Sequence, residues 1–215
     1  MIDKDRFEII RNKHGTYASW AVWADQSSDK PKSGMGDMAI FADHQRDELL
    51  PLLKTNTIMV GLNFSRAITD PQPFRNFHDP SPLANDFKIR HAFVGTDFYG
   101  AYMTDVIKLH EQVDSKQVVR HLKAYPNLIE ENLRIFREEI ADLGVSRPTI
   151  LAFGKDAYGL LQSRFAPSEL THLIKLTHYS HRIGKEKYKE AILEQIRVGM
   201  ANTPRLKLKD GLAPV

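Results

Sequence analysis

A chain of 215 residues with 42% hydrophobic content is long enough to bury the core of one large domain. Lys and Arg number 30 against 27 Asp and Glu, a net charge of +3 that permits a nucleic-acid partner without demanding one. Cysteine is absent, which excludes a disulfide framework, a thiolate metal site and a catalytic thiol, and fits a cytoplasmic setting.

Residues 1–6 are charged and no apolar stretch follows them, which speaks against a signal peptide. No run of 18 apolar residues is present, so no membrane span is expected. Residues 16–25, rich in Tyr, Trp and Val, read as a strand, with Trp20 and Trp23 as core residues. A loop over 26–36 leads to a second short strand at 37–42, and a short helix over 44–54 follows. Residues 1–56 are thus expected to be an elaboration on a core that spans 57–198 of a single domain.

The core opens with an apolar run over 57–62 that reads as a buried strand. Residues 63–88 hold Pro71, Pro73, Pro80 and Pro82 and are too long for a neutral connector, so a functional loop is expected. A strand over 101–108 comes next. Asn127 and Glu130 form a capping-box pattern, and Ile129, Leu133, Phe136, Ile140 and Leu143 make one apolar helical stripe that Gly144 stops. Strands at 149–153 and 173–176 alternate with helices at 156–165 and 186–198. This alternation predicts a three-layer α/β/α fold around a parallel sheet of about four strands. Lys185, Lys187 and Lys189 read as a solvated helix face, and 204–215 as a tail with little to bury.

Two strand ends carry polar side chains. Gly61 and Asn63 close the first core strand, and His178, Tyr179 and Ser180 follow the last one. Ligands of open α/β sheets bind at the carboxyl edge of the strands, so these two ends can converge on one cleft. His178 and His181 invite a metal reading, but no Asp, Glu or Cys stands at a matching spacing, and no metal is expected.

Gly61, Leu62 and Asn63 after a buried strand resemble the first motif of the uracil-DNA glycosylase superfamily, nearest its mismatch-specific and single-strand-selective branches. Pro73 and Phe74 resemble the site of a phenylalanine that stacks on the extruded base. Residues 101–105 are similar to the strand that ends in a base-reading Asn, here Asp105. Gly154 and Ala157 resemble a Gly-x-x-Ala turn, and His178 to Ser180 a second motif with His-Pro-Ser. The resemblance implies catalysis by Asn63, which would orient a water, and His178, which would hydrogen-bond the departing base. It implies base binding by Gly61, Leu62, Phe64, Phe74 and Asp105, and contacts to DNA phosphates by Arg66, Ser180, Arg182 and Lys185. No cofactor is implied, and without cysteine there is no iron–sulfur cluster.

The chain departs from that pattern at Phe64, Asp105 and Tyr179, where the family has Pro, Asn and Pro. An ionised Asp only accepts hydrogen bonds, so Asp105 suits a base edge with two donors better than uracil. Alternatively Asp105 pairs structurally with Lys108 or Arg90. The expected activity is hydrolysis of the N-glycosidic bond of a damaged or unusual base in DNA. The alternatives are an inactive nucleic-acid-binding relative and a hydrolase of small nucleotides or nucleosides.

Overall fold

A computed structural model describes residues 2–63, 72–108, 118, 120 and 124–202. Phe64, Arg66, Pro71 and the tail over 204–215, all named above, lie outside the described residues.

Five strands form one sheet: β1 (Ser19–Trp20), β2 (Lys54–Asn63), β3 (Ala101–Ile107), β4 (Thr149–Phe153) and β5 (His172–Leu176). Their order is β1-β3-β2-β4-β5. The last four in sequence run parallel, and β1 pairs antiparallel with β3 at one edge. The protein is therefore α/β with a mostly parallel sheet. Parallel strands need crossovers, and the helices supply them. Among the described residues the helices are α1 (Lys4–His14), α2 (Arg46–Leu49), α3 (Asp86–Phe93), α4 (Pro126–Asp142), α5 (Lys155–Arg164) and α6 (Lys185–Ala201), of which α3, α4 and α5 lie between the parallel strands.

Alternation along the strands sends neighbouring side chains into two cores, one on each face of the sheet. Ile58, Val60, Tyr102, Ile150 and Ala152 pack with Phe7 and Ile10 of α1, Leu133 and Phe136 of α4 and Leu161 of α5. Met59, Met103, Leu151 and Ile174 pack with Ile89 and Phe93 of α3 and Tyr188 and Ile192 of α6. Helices thus cover both faces.

The chain order places a site. From β2 the chain passes to β3 on one side, then crosses to β4 on the other. The helix that follows β2 lies on one face, and the helix that follows β4 lies on the opposite face. The carboxyl ends of β2 and β4 flank a topological switch point, where a crevice opens in α/β sheets.

Four expectations need correction. The strand at 16–25 is only Ser19–Trp20, although Ala21 continues it through a bond from its N–H to the Ala101 carbonyl, 2.8 Å. Residues Ala39–Phe41 form a 3₁₀ turn, not a strand. The long loop ends earlier than expected, at the start of α3 (Asp86), a helix whose inner face carries Lys88 and Arg90 as well as Ile89 and Phe93. Helix α4 starts at Pro126 behind Tyr125, with no side-chain cap, so Asn127 and Glu130 do not form a capping box. Proline at the first turn fits a helix start, because its missing N–H would be unpaired there in any case.

Candidate functional site

Gly61 and Asp105 stand opposite each other on β2 and β3, and Asn63 is opposite Ile107. A β-carbon on Gly61 would meet Asp105 Oδ1 at 2.1 Å and Phe77 Cζ at 3.8 Å. Glycine is thus what lets the Asp105 carboxyl approach the end of β2, while the Phe77 ring borders the same position at an ordinary contact distance.

Asp105 is 4% exposed. Its partner is neither Lys108 nor Arg90: Asn76 Nδ2 donates to its Oδ2 at 2.9 Å. The same amide donates to the Tyr17 carbonyl at 2.5 Å, and Asn76 Oδ1 accepts from the Phe77 N–H at 3.1 Å. Burial pushes the Asp105 pKa up to about 6, against the pull of Asn76 and Lys108. Lys108 Nζ instead donates to the Asp105 backbone carbonyl at 2.5 Å and pairs with Glu139 at 2.6 Å, both side chains fully buried. Glu139 also accepts from the Tyr102 and Thr104 hydroxyls, at 2.8 and 2.9 Å. This network ties α4 to β3 and fixes the main chain that carries Asp105.

The aromatic expectation fails at Phe74. Its side chain is 1% exposed, packed against Phe7 at 5.5 Å and Phe41 at 5.2 Å, so it is a core residue without a face for a ligand. Phe77, three residues on, is also buried, at 3% exposure, but it sits at the strand ends with Tyr179 against it. Its φ of 63° is a left-handed conformation uncommon for a bulky side chain. The Asn76 side chain holds its N–H, and Trp23 Nε1 donates to its carbonyl at 3.3 Å. Strain of this kind collects where function over-determines a residue. Only this packing separates Phe77 from Phe74 (φ 68°), because both lie in one loop at similar spacing from β2.

His178 follows β5 and lies beside the end of β4: a β-carbon on Gly154 would stand 3.5 Å from its ring. The Ser180 N–H donates to His178 Nδ1 at 3.1 Å, with Ser180 Oγ 2.8 Å from the same nitrogen. Nδ1 is then an acceptor, which leaves the proton of the neutral ring on Nε2. Burial holds the pKa down at about 4, with Asp156 opposing, so the ring is neutral at ordinary pH. Tyr179 stacks on His178 at 4.3 Å and meets Phe77 and Phe153 edge-on at 6.4 and 5.5 Å. Phe77, Tyr179 and His178 thus form a continuous aromatic bridge from the end of β2 to the end of β5.

Asn63 is partly buried at the last position of β2, with Leu62 buried beside it. Ser180 and Arg182 are exposed on the turn after β5. Lys185 opens α6 and lines a cavity against α3, away from the turn. Among the described residues no group of three or more His, Asp or Glu could hold a metal ion, and no helix is long and apolar enough to cross a membrane. Against known proteins, the chain has no significant match to any family model, curated protein or solved structure.

Proposed function

We propose that this protein binds nucleic acid and hydrolyses the N-glycosidic bond of a damaged or unusual base, in the manner of the uracil-DNA glycosylase superfamily. The observation that supports the proposal is that two groups stand at the carboxyl edge of one sheet: a neutral histidine whose Nε2 is the donor, after β5, and a buried carboxyl fixed by Asn76 over Gly61, on β3.

Glycosidic hydrolysis builds negative charge on the departing base and positive charge on the sugar. A donor placed where the charge develops lowers the barrier, and His178 Nε2–H is such a donor without carrying a charge itself. Asn63 orients the attacking water. It is a weak base, so turnover is slow. Phe77 replaces Phe74 as the stacking ring; it is buried in the free protein, so a base reaches it only when Tyr179 moves off its edge. Asp105 reads the base, and Ser180 and Arg182 meet the phosphates.

The test is a release assay on single- and double-stranded oligonucleotides that carry a panel of modified bases. Release by the wild type is expected for at least one base. His178→Ala should lower kcat by about 10²–10³-fold, the usual effect of removing one such donor. Binding that falls steeply with salt, but with no release from any substrate, would mean a binding module. No binding even at low salt would favour a hydrolase of small nucleotides.

A further inference from the structure

A cavity of about 310 Å³ lies between α3, α6 and the segment that follows β1, on the helix-covered face and not at the strand ends. That volume is at the small end of the usual range for small-molecule sites, about 300–1,000 Å³. Its walls combine aromatic rings with cations. Trp23, Phe87 and Tyr99 supply the rings; Arg90, Lys185 and Lys189 supply the charge, and Asp25 is the carboxylate among the lining residues.

The cations are arranged in two ways. Arg90 is 5% exposed, and its guanidinium donates to three backbone carbonyls, of Ala24, Pro31 and Ser33. Carbonyls satisfy its donors but do not neutralise its charge, so a positive charge stays beneath the cavity. Lys185 and Lys189 are one helical turn apart on α6 and so share a face. Glu186 lies 3.6 Å from Lys185 through one oxygen and 2.7 Å from His91 through the other, so Lys185 is partly paired and Lys189 is the less encumbered cation. Phe87 has Lys32 over its ring at 5.4 Å, and Lys32 is held there by the Ser81 and Pro82 carbonyls. The cavity therefore joins a net positive wall to partly exposed ring faces.

We propose that this cavity is a second ligand site, one that takes a nucleotide, its phosphate on Lys185 and Lys189 and its base against Phe87 and Tyr99. The phosphate group can belong to a free nucleotide or to a strand of nucleic acid. The site does not depend on catalysis at the sheet edge.

The test is titration of the full chain with adenosine monophosphate at low salt, followed by calorimetry and by tryptophan fluorescence, since Trp23 lines the cavity. Saturable one-to-one binding is expected, tighter than that of adenosine or of inorganic phosphate. Lys189→Ala should weaken it by about tenfold or more, the loss of one charge-assisted hydrogen bond. Lys189→Arg should restore much of it, and the melting temperature of each variant checks that it folds. Displacement by a short single-stranded oligonucleotide whose own affinity falls in Lys189→Ala assigns the phosphate to a strand. Retention of the nucleotide under the same competition assigns the site to free nucleotides. Absence of saturable binding, or binding indifferent to both Lys189→Ala and Phe87→Ala, overturns the proposal.

Discussion

Gly61 and Asp105 face each other on neighbouring parallel strands so closely that a β-carbon on the glycine would stand 2.1 Å from Asp105 Oδ1. The carboxyl is also pinned from the far side by Asn76. Gly61→Ala must therefore push Asp105 off its amide partner. Overpacking of this kind costs about 1–3 kcal/mol, and urea unfolding should register it. An alanine variant as stable as the wild type would mean that the carboxyl rests elsewhere.

Asp105 and His178 also set the response of stability to acid. The folded-state pKa of Asp105 is raised from 3.8 to about 6 by burial. Its contribution is full below the unfolded value and is lost as pH rises through 6. The His178 pKa is lowered from 6.5 to about 4, again by burial. Its contribution is present above 6.5 and is lost as pH falls toward 4. Each shift corresponds to roughly 3 kcal/mol at full extent, and between about pH 4 and 6 the two oppose each other. In Asp105→Asn the His178 contribution stands unopposed, joined by that of His78, whose pKa burial also lowers. Stability should then climb by about 3 kcal/mol or more from pH 4 to 6.5, and His178→Ala in that background should remove about 3 kcal/mol of the climb. Urea midpoints at several pH values decide this. A flat profile in the variant would refute the assignment.

The parts of the fold that sequence made legible are the ones with one kind of residue per face. Strands β2 to β5 are apolar runs with glycine or polar ends, and α4 carries an unbroken apolar stripe. The misses have a common cause. In α3 the inner face includes Lys88 and Arg90, 6% and 5% exposed, whose charged heads reach backbone carbonyls of His181 and of the 24–33 segment. In α1 the apolar stripe is two residues, Phe7 and Ile10, among many charges. The positions of Gly61, Asp105 and His178 near strand ends were legible, because apolar runs that stop at polar residues mark those ends. The site was not legible at Asn76, which lies 29 residues from the carboxyl it holds. Nor was it at Phe77, where only packing distinguishes one phenylalanine from the other, since Phe74 and Phe77 share a positive φ.

That distinction predicts a split between two variants. Phe74→Ala empties a core position between Phe7 and Phe41 and should cost about 3–5 kcal/mol of stability. It should leave the affinity of the folded fraction for substrate unchanged. Phe77→Ala should instead weaken substrate binding, by about 1–3 kcal/mol if the ring stacks on a base. Chemical unfolding and binding by anisotropy, run on both variants, give the comparison. Equal loss of affinity in the two would remove Phe77 from its assigned role.

The tautomer of His178 is open to direct observation. Because the Ser180 N–H points at Nδ1, nitrogen-15 NMR should find Nε2 protonated and Nδ1 bare. The ring should stay neutral from pH 7 down to about pH 5, given a pKa near 4. A charged imidazolium at pH 6 would take away the neutral donor on which the proposed chemistry depends.

The sharpest prediction concerns Asp105 and uracil. Above pH 6 the side chain is ionised and offers only acceptors, which repel the O4 of uracil. As pH falls through 6 it gains a proton and with it a donor, so release of uracil by the wild type should rise toward acid. Asp105→Asn supplies a donor at every pH, and its orientation is set by its neighbour. Asn76 Nδ2 donates to position 105 at Oδ2, so the oxygen of the new amide takes that place. Its NH₂ then stands where Oδ1 now lies. A site with mismatched buried polar groups can discriminate by about 10⁴-fold, which bounds the gain. Uracil release by the variant should exceed that of the wild type at pH 7.5, and the advantage should shrink below pH 6. The measurement is single-turnover release from matched uracil-containing strands across this range. Efficient release by the wild type at pH 7.5, unchanged in the variant, would show that Asp105 does not face the base.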